Sequence, residues 1–205
     1  MSHHHAVEIE TLSASEADAV RIVQLAWLSL PAAHRSLLEA VGASQWQVVS
    51  GPIGSVADEM LRSAGQPGMT PSAKVRLDGA QGAWVPGLQV LLISVGHPAI
   101  DGLDSQAHEA FVAHIAWHEW GHALSLARCS PEDIAAGHTL LALAPQGIRE
   151  GIRGAGYRSG SYTHEVVAET YALLMARRIR GHRDKPIWLD DKIYNLLKRV
   201  VGWAD

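Results

Sequence analysis

Two histidines four positions apart, with a glutamate directly after the first, stand at His118-Glu119-Trp120-Gly121-His122. Residues i and i+4 lie one turn apart on the same face of a helix, so both imidazoles can reach one tetrahedral zinc ion. Glu119 points to the side of that face, where its carboxylate can reach a zinc-bound water without being a ligand. Zinc lowers the pKa of such a water from about 15.7 to about 7, and a positioned carboxylate takes the proton as attack proceeds. The spacing therefore predicts metal-assisted hydrolysis, with His118 and His122 as ligands and Glu119 as general base.

The surrounding residues predict a long helix starting near Asp104 or Ser105. From Ala110 to Ala127 nearly every position off one stripe is apolar, which describes a helix buried on most sides. The stripe itself holds His114, His118, Gly121, His122 and Ser125. Each buried polar group left unpaired costs roughly 1 to 3 kcal/mol, so a line of imidazoles needs partners. A metal is the simplest one, and the competing reading is a core helix whose histidines bond to backbone carbonyls. His114 lies one turn before His118 and is expected behind the ligands or beside substrate.

A zinc hydrolase takes three protein ligands and a water, so one more donor must come from elsewhere. A third histidine at position 128 would make the metzincin pattern, but that residue is Arg128, and Ser125 stands where the pattern has glycine. The better source is a second helix, Thr163-His164-Glu165-Val166-Val167-Ala168-Glu169, with Thr163 as its expected cap. Glu165 and Glu169 share one face with Ala168, Ala172 and Ala176, whose small side chains permit a close helix contact. Two carboxylates buried side by side repel unless a cation lies between them and the histidines. One of them then binds the metal while the other accepts the free N–H of a ligand imidazole. Glu165 as ligand with Glu169 behind is the preferred division, the reverse its alternative.

H-E-x-x-H followed by E-x-x-x-E on a later helix resembles the gluzincin metallopeptidases, the thermolysin-like clan. The form found here is similar to the catalytic domains of anthrax lethal factor and its relatives, over roughly residues 84–175. That resemblance implies a zincin-like fold and one catalytic zinc. It also implies His118, His122 and Glu165 as ligands, Glu119 as base and Glu169 as outer-shell acceptor. The lethal-factor group carries a tyrosine seven positions before its ligand glutamate, and here that position is Arg158. Tyr157 and Tyr162 flank it, so the oxyanion donor is expected to be Tyr157 first, with Tyr162 or Arg158 as alternatives.

The rest of the chain must position these groups. Its 205 residues suit a single domain, expected over 13–205 behind a flexible tail at 1–12. Seventeen basic against 21 acidic residues, a net charge of −4, predict no pull toward nucleic acid or anionic lipid. The arginines at 149, 153 and 158 fit a glycine-rich loop over 145–160 better than a nucleic-acid patch. The one cysteine, Cys129, rules out an intrachain disulfide and reads as a small buried hydrophobe at a helix end. No secretory leader or membrane-spanning stretch is visible, so a cytoplasmic location or a non-Sec export route is expected. The histidines at 3–5 are left out of the site.

Ser13 and Glu16 predict a capping box opening a helix to about Leu30, ended by Pro31. Further helices are expected at 32–41, 56–63, from Ser130, at 140–144 and at 186–201, the last anchored by Trp188 and Trp203. Strands are expected at 46–49, weakly at 73–77, and at 88–94. The last is uninterruptedly apolar and so predicted to be buried on both faces; as a border of the cleft it would receive an extended peptide. His34 and Trp27 read as packing residues. The sum is an α+β, mostly helical zincin-like domain with a small mixed sheet and two central helices carrying the ligands. The expected activity is zinc-dependent peptide hydrolysis. Its alternatives are a zinc hydrolase of other substrates, and a zinc-holding binding module with His164 or His138 as fourth donor.

Overall fold

The computed structural model describes residues 13–97, 100 and 102–203. The expected tail at 1–12 lies outside them, as do residues 98, 99, 101, 204 and 205. The fold is mostly helical α+β with one three-stranded mixed sheet. Helix α1 (Ala14–Ser29) opens on the predicted capping box: Glu16 N donates to Ser13 Oγ at 3.3 Å, and Ser13 N donates to Glu16 Oε2 at 2.7 Å. Two orphan amides are thereby satisfied at once. Helix α2 (Ala32–Ala40) follows Pro31.

Strand β1 (Gln45–Val49) pairs in parallel with β3 (Val90–Ser94), and β2 (Gly82–Val85) pairs antiparallel with β3 on its other side. Every residue of β3 is buried. Leu91 and Ile93 enter the main core, while Val90 and Leu92 face a second cluster with Ile53 and Ala57 of α3 (Ile53–Ser63). The predicted burial on both faces is therefore correct. Of the strand's two readings, a border of the cleft and an ordinary central strand, the second is found, because β1 and β2 occupy both its edges. The free edge nearest the long helix belongs to β2, a segment that reads in sequence as a mere lead-in.

Two further expectations fail for physical reasons. The weak strand at 73–77 is helix α4 (Pro71–Asp78): Thr70 caps it by accepting from Ala73 N at 3.3 Å, and Pro71 fits the first turn, where its missing N–H is not needed. Its last residue, Asp78, accepts from Ser55 N at 2.8 Å and ties α4 to α3. The loop expected at 145–160 contains helix α8 (Gln146–Gly154), because Ile148 and Ile152 form an i, i+4 pair buried in the core. Burial of that pair outweighs the helix penalty of its glycines, about 1 kcal/mol each.

Helix α5 (Ser105–Arg128), capped by Asp104, is the axis of the domain. Around it pack α1, the sheet, α9 (Tyr162–Ile179) and α10 (Asp191–Val201), while α6 (Pro131–Ala135) and α7 (Gly137–Leu143) connect it back. A 3-10 turn, Ser159–Ser161, leads into α9, so Thr163 lies within the helix rather than capping it, and its hydroxyl donates to the Asp133 carbonyl at 2.7 Å. The last helix starts at Asp191 rather than 186. Trp203 is buried against His34 and Tyr171, but Trp188 is 43% exposed and outside the two core clusters.

Gly121 is where α5 and α9 meet. A Cβ there would lie 2.8 Å from Ala168 Cα and 3.3 Å from the Tyr171 ring. Ala168 and Ala172 are fully buried in the contact, as their small side chains predicted. Gly121→Ala is expected to destabilise the protein by about 1 to 3 kcal/mol through overpacking, read as a lowered urea midpoint.

Candidate functional site

At that crossing α5 presents His114, His118 and His122 on successive turns, and α9 presents Glu165 and Glu169 opposite them. His118 Nε2 and His122 Nε2 are 3.0 Å apart, and Glu165 Oε2 stands 3.4 Å from the second and 3.8 Å from the first. A tetrahedral site with zinc bonds of about 2.1 Å separates its donor atoms by about 3.4 Å. The spacing of these three atoms straddles that value, so the donor set fits such an ion, and all three side chains are largely buried. Glu169 does not join them. Its Oε1 faces His118 Nδ1 at 3.7 Å, and its Oε2 meets His114 Nε2 at 3.2 Å. Of the two carboxylates, Glu165 faces both Nε2 atoms and Glu169 stands behind.

Glu119 reaches the sheet, where its Oε2 accepts the backbone N–H of Trp84 at 2.9 Å. That amide is on the outer side of β2: the antiparallel register pairs Ala83 and Val85 inward, which leaves Gly82 and Trp84 facing out. Gly82 makes the approach possible, since a Cβ there would fall 2.4 Å from Ile115 Cγ2 and 3.0 Å from Glu119 Cγ. A glycine inside a strand often marks such a close approach, and this was the one signal available in sequence.

These groups line a cleft of about 380 Å³ with Gly79–Gly82 on one side and Gly151, Ile152, Ala155 and Tyr157 on the other. His114, His118, Glu119, Glu165 and Glu169 line it too. The α8 wall was missed in sequence because the glycines at 147, 151 and 154, around its isoleucines, mask the helical period. Of the three candidate oxyanion donors, Tyr157 lines the cleft and Tyr162 and Arg158 do not. Tyr162 packs edge-on against His138, ring centroids 5.1 Å apart. His164 is held by Ser125, its Nδ1 3.0 Å from Oγ, while that hydroxyl donates to the His122 carbonyl. Neither His164 nor His138 belongs to a cluster able to hold a metal among the described residues.

The electrostatics follow from burial set against neighbours. Burial, then the neighbouring His122, pushes His118 down to about 3, so its ring is neutral and its lone pair available. His122 is also buried, but its contacts with Glu165 and Glu119 outweigh that and hold its pKa above the ordinary value. Burial raises Glu119 above the usual carboxylate range. Burial and the nearby Glu165 raise the Tyr157 phenol, which therefore stays protonated and able to donate. Tyr157 as a whole remains 39% exposed. Elsewhere burial drives His34 down to about 4 beside the Tyr171 hydroxyl, and raises the Cys129 thiol to about 11 at the end of α5. Both are packing residues, as expected.

No family model, curated protein or solved structure matches this chain.

A carboxyl whose pKa is raised by folding is stabilised in its protonated form, and that stability is lost as pH rises through the raised value. Glu119→Gln keeps an acceptor for Trp84 N–H and removes the buried charge. The metal-free variant is therefore expected to be more stable than the metal-free parent, by an increment larger at pH 8 than at pH 5. Urea midpoints at the two pH values measure it, and an increment that shrinks with rising pH would contradict the assignment.

Proposed function

We propose that the protein is a zinc-dependent metallopeptidase of the gluzincin kind. The observation that carries this is the convergence of His118, His122 and Glu165 on one point, with His118 and Glu165 lining a cleft that also holds a further glutamate, Glu119, and a phenol, Tyr157. Two neutral or shared-proton imidazoles and one carboxylate are the donor set of a catalytic zinc site, with room left in the cleft for water. A zinc ion held there would act as a Lewis acid toward the scissile carbonyl and bring the pKa of a bound water to about 7.

The chain's own groups do the rest. Trp84 N–H holds one oxygen of Glu119, a residue that lines the cleft, and leaves the other oxygen free to accept a proton. Raised basicity and fixed position suit it to accept the proton of the attacking water and pass it to the departing amine nitrogen. Tyr157 donates its O–H to the oxygen that becomes negative in the tetrahedral intermediate. Glu169 faces His118 Nδ1 at 3.7 Å, placed to take its N–H as the ring settles on an ion, and His114 holds Glu169. An extended peptide would lie along the outer edge of β2, against Gly79–Gly82, rather than along the interior strand β3.

A zinc-holding module without catalysis needs a fourth protein donor, and His164 and His138 are engaged elsewhere. Among the described residues no helix is long and apolar enough to cross a membrane.

The test is a peptide-library digest with metal analysis of the same samples. Parent protein is expected to contain one tightly held zinc and to cleave. Glu119→Gln is expected to retain that zinc and lose about 100-fold or more of kcat. Full cleavage by this variant would overturn the mechanism. Tyr157→Phe is expected to lower kcat by about 100-fold with zinc content unchanged, whereas Tyr162→Phe leaves kcat within a few-fold.

A further inference from the structure

Helices α5 and α9 repeat the same arrangement one turn apart. Histidines at 114, 118 and 122 face glutamates at 165 and 169, so the pairing of His118 and His122 with Glu165 recurs as His114 and His118 with Glu169. We propose that His114 and Glu169, beside the Nδ1 edge of His118, form a second and weaker site for a divalent transition-metal ion at the mouth of the cleft. The inference rests on the reading above in one respect: His118 is taken to turn its Nε2 toward the first ion.

The geometry admits an ion in place of the hydrogen bond between the two side chains. His114 Nε2 and Glu169 Oε2 are 3.2 Å apart, close to the edge of about 3.4 Å that tetrahedral zinc imposes on its donors. The two oxygens of Glu169 point in different directions, Oε1 to His118 Nδ1 and Oε2 to His114. An ion on Oε2 therefore leaves the contact to His118 in place. The His114 and Glu169 side chains are 32% and 33% exposed, so water can complete the shell, whereas His122 and Glu165 at 15% and 7% lie deeper. One imidazole and one carboxylate select zinc, cobalt or nickel over magnesium or calcium, which take oxygen donors. Fewer protein donors and more water make this site the weaker of the two.

The experiment is a cobalt(II) titration of the full chain carrying His3→Ser, His4→Ser and His5→Ser, followed by visible absorption and calorimetry. The expected result is two equivalents bound in two steps, the second at least 10-fold weaker. His114→Ala is expected to abolish the second step alone, and Glu165→Gln to weaken the first. Unchanged circular dichroism of both variants separates loss of a site from loss of the fold. A single step in the parent protein overturns this inference and leaves the proposed function standing, as does a second step that survives His114→Ala. A protein that binds no ion overturns both, and one that binds two ions yet cleaves no peptide overturns the function alone.

Discussion

The contact between Gly121 and Ala168 is the constraint on which the site depends. An imidazole on one helix and a carboxylate on another can share a cation only if the two backbones come close enough for short side chains to bridge them. A glycine on α5 and fully buried alanines on α9 allow that approach. The spacing of donor atoms in the cleft, between 3.0 and 3.8 Å, is a direct consequence. Larger residues at the crossing would keep the same side chains but move Glu165 out of reach of the histidines.

The second constraint comes from the sheet. Gly82 lets β2 lie against α5 where any side chain would strike Ile115, and this brings the Trp84 amide onto Glu119. Glu119 and Glu165 are thus oriented by different neighbours, one by a strand edge and one by a helix, although both are buried carboxylates within one cleft. Buried carboxylates that are not paired push up their own pKa values and destabilise the fold at neutral pH. Here the histidines offset part of that cost. His122 is drawn toward its protonated form by the carboxylates, while burial, then the neighbouring His122, holds His118 neutral. Such an arrangement concentrates negative charge at the point where the proposed zinc would sit.

Much of the fold was legible wherever a local rule had no competitor. The capping box at Ser13 and Glu16, the buried helix around His118, the small residues of α9 and the doubly buried strand β3 all follow from periodicity and cap chemistry acting over a few residues. Expectations failed where packing between distant segments outweighed local preference. Glycines hid the helical period of α8 until Ile148 and Ile152 found the core, and the alternation at 73–77 concealed a helix that Thr70 and Pro71 begin.

For the site, the sequence alone determined which residue types stand at helical spacing on two helices: His114, His118 and His122 with Glu119 on one, Glu165 and Glu169 on the other. Spacing along a helix is a local property, so it can be read without coordinates. Only the tertiary structure decided which glutamate faces the paired Nε2 atoms, that Tyr157 rather than Tyr162 enters the cleft, and that β2 rather than β3 has the open edge. Each of these depends on how segments far apart in the chain are rotated and offset against one another, and that is set by packing at contacts such as Gly121 and Gly82.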